Sequence, residues 1–73
     1  MTIYDVKRLH LERFPSSHYF DRKTMRFFGQ TLKMFRVSKV DEERYLVEAP
    51  VYLDGKRVHT SVRVFNVETR VLL

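Results

Sequence analysis

Three histidines, His10, His18 and His59, are the side chains here best suited to acid–base or metal chemistry. Their spacing argues against both. None stands at a ligand separation by which helices or loops converge on an ion, and with no Cys a mixed Cys and His zinc site has no thiolates. Asp21 and Glu12 offer carboxylates that could pair with a histidine, yet no spacing marks a nucleophile activated by a base. Two glycines in 73 residues leave no glycine-rich loop to cradle phosphate. A chain this short would also have to carve a pocket from a core barely sufficient to fold. The expectation is a protein without catalysis, metal or cofactor.

A different chemistry lies in the alternation of the second half. If the strands pair as their patterns suggest, one face of a sheet collects Lys33, Phe35, Val37 and Lys39, then Leu46, Glu48 and Tyr52, then Arg57, His59, Arg63 and Phe65. Cations interleave with rings. Single-strand nucleic-acid binders use such a face, stacking bases on aromatics while Lys and Arg neutralise phosphate. An apolar patch of this size also suits a protein partner or a second protomer. The partner-binding candidates are therefore Lys33, Phe35, Lys39, Tyr52, Arg57, His59, Arg63 and Phe65.

The elements that position these residues follow from local signals. Thr2, with Asp5 three residues on, opens a helix whose apolar positions Ile3, Val6 and Leu9 recur at about one turn. Pro15 closes it, so the helix is placed at 3 to 13. Asp21 is suited to cap a second, two-turn helix by accepting from Lys23 or Thr24, with Phe20 and Met25 clasping across its start, Phe28 on its packed face and Gly29 as its stop. Beyond Gly29 the period changes to two. Thr31 to Val40 and Tyr45 to Leu53 read as strands, and Asp54-Gly55 predicts a tight hairpin into Val58, Thr60, Val62 and Val64. With Leu53 opposite Lys56, an unbroken register sets Val51 against Val58, Val47 against Val62 and Tyr45 against Val64, gathering the valines on one side. Pro50 has no amide to give the ladder, which calls for a free edge or a bulge. The predicted fold is α+β, one domain over 1–73: two short N-terminal helices (1–29) packed on one face of a three- or four-stranded antiparallel meander (31–73).

Composition limits the setting. A hydrophobic share of 44% against 32% charged excludes a disordered tail, and no run approaches the ~20 apolar residues of a membrane span. Lys7, Arg8 and Arg13 interrupt the N-terminal apolar positions, so no signal peptide is read and a cytoplasmic location is expected. Fourteen Lys and Arg against nine Asp and Glu give a net charge of +5, which favours an acidic protein surface or nucleic acid.

His18-Tyr19-Phe20 followed by Thr24-Met25-Arg26-Phe27-Phe28 resembles the motif of a group of small proteins encoded by phages, plasmids and bacterial genomes. Thr60 to Phe65 is similar to a later strand of that group. Arg22 departs from the pattern, standing where a proline often opens the helix, and the chain stops at Leu73 without the further aromatic turn of some relatives. The resemblance implies a fold and a mobile-element setting, and carries no mechanism. In that setting the expected role is a non-enzymatic binding protein that inhibits a host or defence complex, as anti-CRISPR proteins do, by occluding its surface. The alternatives are a single-stranded nucleic-acid binder using the same face, and a structural homodimer.

Overall fold

The computed structural model describes all 73 residues and contains one α-helix and two antiparallel three-stranded sheets. The helix α1 runs Ile3–Arg13, as its end signals predict. Asp5 reaches back to accept the Thr2 amide at 2.8 Å, satisfying a donor that precedes the first turn. Ile3, Val6 and His10 form the buried stripe, with Leu9 beside them.

The second helix does not form. Asp21 accepts from the amides of Lys23 (2.9 Å) and Thr24 (3.4 Å), the bonds expected of an N-cap, but here they close an Asx turn. Met25 and Phe28 then adopt φ of 55° and 52°, and Gly29 follows at 76°. L-residues in that left-handed region cannot continue a right-handed helix. The chain instead folds into a small ribbon of β1 (Phe20–Asp21), β2 (Arg26–Phe27) and β3 (Gln30–Thr31), with Phe20 opposite Phe27. Two turns of helix would supply few internal hydrogen bonds, whereas the ribbon buries Phe27 completely and stacks Phe28 on Tyr19 with centroids 4.3 Å apart. The expected clasp of Phe20 by Met25 is absent: Met25 is 50% exposed, and Phe20 packs at the core margin with the Lys7 ammonium 4.5 Å above its ring.

The larger sheet holds β4 (Arg36–Lys39), β5 (Arg44–Leu53) and β6 (Lys56–Asn66) in that order, preceded by a single 3₁₀ turn at Leu32–Met34. Val71–Leu73 lies antiparallel beside β6, bridging Leu72 to Phe65. Asp54 (φ 52°) and Gly55 (φ 76°) make the predicted tight turn, and Leu53 faces Lys56. Two residues farther the register departs from expectation. Tyr52 pairs with Arg57 but Val51 pairs with His59, so Val58 is an extra residue in β6. Val47 consequently faces Arg63 and Tyr45 faces Phe65. Pro50 sits in regular pairing with Thr60, so the bulge lies beside it, not at it.

One extra residue exchanges the two sides of β6 from His59 onward. Phe65, expected outside, is 0% exposed; Val62, expected inside, is 52% exposed. On β4 the expected sides are likewise exchanged. The turn into β5 spans Val40 to Glu43, so Val37 faces Val47 and turns to the core, while Val40 is exposed. Ile3, Val6, Phe27, Leu32, Val47, Phe65 and Leu72 form one buried cluster between α1 with the ribbon on one side and the larger sheet on the other.

Candidate functional site

The eight predicted partner-binding residues do not share a face. Phe65 is core, and Phe35 is partly buried, edge-on to Phe27 at 5.9 Å. Arg63 lies on the helix side, its guanidinium 4.3 Å over the Phe28 ring. Lys39 pairs with Glu42 at 3.1 Å near the β4–β5 turn, while Lys33 is exposed in the 3₁₀ turn. Tyr52, Arg57 and His59 are exposed around the hairpin tip. Of the eight, the structure brings Tyr52 and Arg57 directly together, as cross-strand partners. The extra residue in β6 and the shifted β4–β5 turn are the reasons for the dispersal.

Around that pair a groove of about 300 Å³ opens on the sheet, lined also by Met34, Arg36, Glu48, Pro50 and Thr60. The Arg57 guanidinium donates to the Thr60 hydroxyl, which fixes its orientation along the strand. The face read from the sequence takes Lys33, Phe35, Val37 and Lys39 outward, which would turn Arg36, a cation and a misfit there, toward the core. Opposite Glu48 on β4, Arg36 belongs to the exposed side. The misfit was itself the signal that could have exposed the wrong register. The same sheet face continues through the Leu46–Val64 and Glu48–Val62 pairs.

The far end of this sheet has the opposite charge. Asp41, Glu42 and Glu43 form its turn, where Asp41 accepts the Glu43 and Arg44 amides at 2.9 Å each and pairs with the Arg44 guanidinium at 3.2 Å. The amide bond from Glu43 in particular holds the Asp41 carboxyl below the ordinary aspartate range.

A second concavity, of about 640 Å³, lies at the C-terminal end of α1. Its floor holds His10, whose Nδ1 lies 2.8 Å from the Arg70 carbonyl oxygen and whose Nε2 lies 2.8 Å from the Ser17 hydroxyl. The imidazole is 3% exposed, and its ring stacks on Tyr19 at 5.5 Å and tilts against Phe14 at 5.0 Å. Sequence spacing hid this pair, because the break at Phe14 and Pro15 turns the chain back beside the helix. His18 and His59 are exposed elsewhere, and no three His, Asp or Glu side chains gather as a metal-binding group. No helix is long and apolar enough to cross a membrane. Comparison of the chain with protein-family models, with curated proteins and with solved structures yields no match.

Proposed function

We propose that this chain is a small binding protein of mobile-element type, acting in the cytoplasm to inhibit a host or defence complex by occluding an acidic protein surface, a role that needs no catalysis. The observation that supports it most is the groove in which Tyr52, Arg57 and Arg36 line one exposed patch of the sheet. Tyr and Arg are the residue types in which binding energy concentrates at protein interfaces, and the chain's excess of cations matches an acidic target. Single-stranded nucleic acid is the weaker reading, since two of its stacking rings, Phe35 and Phe65, are withdrawn toward or into the core.

The experiment is affinity capture with the intact protein, comparing wild type with Tyr52→Ala/Arg57→Glu, followed by titration of the captured partner. Removing a hot-spot pair worth about 2 kcal/mol or more weakens binding by roughly thirtyfold or more. Recovery of the same proteins with equal affinity by both baits refutes the assignment. So does retardation of single-stranded DNA or RNA that collapses steeply with rising salt, which would instead indicate phosphate neutralisation.

A further inference from the structure

We propose that Ser17 is a nucleophile activated by His10, and that the cavity at the end of α1 takes a carboxylic ester with an apolar acyl group. The pair lies at a different concavity from the Tyr52–Arg57 groove and is independent of the docking role.

The tautomer follows from the partners. A carbonyl oxygen can only accept, so Nδ1 carries the proton given to Arg70, and whenever the ring holds that proton alone, Nε2 presents its lone pair to the Ser17 hydroxyl. Hydroxyl, imidazole and an orienting acceptor thus stand in sequence, each link 2.8 Å long. This is the geometry by which an imidazole takes a proton from an attacking hydroxyl, with a main-chain carbonyl in the place usually given to a carboxylate. Burial fixes the ring: Phe14 and Tyr19 pack against it and Phe27 meets it edge-on at 6.4 Å. The carbonyl is also held, because Arg70 is tied to α1 through its 2.9 Å ion pair with Glu12.

The surroundings define the substrate class. Phe14, Tyr19, Val71 and Leu72 give the cavity apolar walls suited to an acyl chain, while Arg13 brings a guanidinium to the same space. The amide of His18, next after the nucleophile, has no acceptor in the chain and is the donor this proposal gives to the carbonyl oxygen that gains charge, while Arg13, which donates to the Thr69 carbonyl, lines the same space. In the reaction the Ser17 Oγ forms a bond to the carbonyl carbon as its proton passes to Nε2. The C–O bond to the alcohol then breaks, and the alcohol leaves with that proton. Water repeats the sequence on the Oγ acyl ester, releasing the carboxylic acid and restoring Ser17.

The test compares two neighbouring serines within the unaltered protein. Ser16 lines the same cavity and bonds to no imidazole. A fluorophosphonate probe, with adducts located by peptide mass mapping, is expected to modify Ser17 about a hundredfold faster than Ser16, the lower range of general-base assistance. p-Nitrophenyl butyrate should release p-nitrophenol over repeated turnovers and, while present, slow the probe at Ser17. Equal labelling of the two serines in the folded protein overturns the proposal. So does fast labelling of Ser17 that persists in a His10→Gln protein retaining its circular dichroism. Probe labelling of Ser17 without release of p-nitrophenol above the rate in buffer overturns the ester assignment.

Discussion

Truncating Phe65 and Val62 to alanine separates the two registers available to β6, because these residues lie three apart on opposite sides of one strand. Phe65 is fully buried, and loss of a buried Phe side chain with the cavity it leaves costs roughly 3–5 kcal/mol. Val62→Ala removes two carbons worth about 0.8 kcal/mol each when buried; at about half exposure the cost is near 0.8 kcal/mol in total. A chain of 73 residues has a total stability of roughly 4–11 kcal/mol, so Phe65→Ala consumes much of it. With a urea dependence of about 1 kcal/mol/M, the unfolding midpoint should fall by roughly 3–5 M for Phe65→Ala and by about 1 M for Val62→Ala, followed by far-ultraviolet circular dichroism. Under the unbroken register the order reverses. A Val62→Ala midpoint as low as that of Phe65→Ala, or a Phe65→Ala midpoint within 1 M of wild type, refutes the bulge and the core built on it.

Deleting Val58, which has no partner and is half exposed, should leave a regular hairpin with stability within about 1 kcal/mol of wild type; a loss beyond ~2 kcal/mol in the same titration counts against the bulge position. Gly55→Ala meets no atom within 4 Å, so its cost is the left-handed backbone alone. That cost is about 1 kcal/mol, or a melting temperature lower by roughly 4–8 °C, and an unchanged melting curve would refute the turn conformation. In acid, the carboxyls of Asp5, Asp21 and Asp41 lie below their ordinary value of 3.8, held down chiefly by the amides of Thr2, Lys23 and Glu43 respectively. Groups lowered in the folded state contribute stability above the unfolded value that is lost as pH falls through the folded one. The protein should therefore lose stability below about pH 3.8, and Asp21→Asn should flatten that decline. An identical acid limb in the variant would refute the turn's contribution.

The helix α1 was legible because its signals are local and redundant: Thr2 and Asp5 at one end, Pro15 at the other, and an apolar stripe between. The Asp54-Gly55 turn was legible for the same reason, as two adjacent residues suffice to define it. Asp21 shows where such reading stops. A carboxylate accepting two amides two and three residues ahead serves a helix start or an Asx turn equally, and what decides between them is whether Phe27 finds a core in the extended form. The docking face failed through a quantity with no local mark. Val58 looks like any strand valine, and its being supernumerary depends on Phe65, seven residues away, preferring the interior over Val64. His10 and Ser17 were invisible as a pair because their meeting requires the break at Phe14 and Pro15 and a carbonyl contributed by Arg70.

The ties between α1 and residues 69 to 72 bear on how this protein is born. His10 and Glu12 bind Arg70, Arg13 donates to the Thr69 carbonyl, and Leu72 belongs to the central cluster. During synthesis at roughly 5–20 residues per second, α1 waits for partners that are translated about 60 residues after it. Until Leu72 emerges, Ile3 and Val6 have nowhere dry to settle, so the nascent chain spends several seconds with its greasiest stripe uncovered.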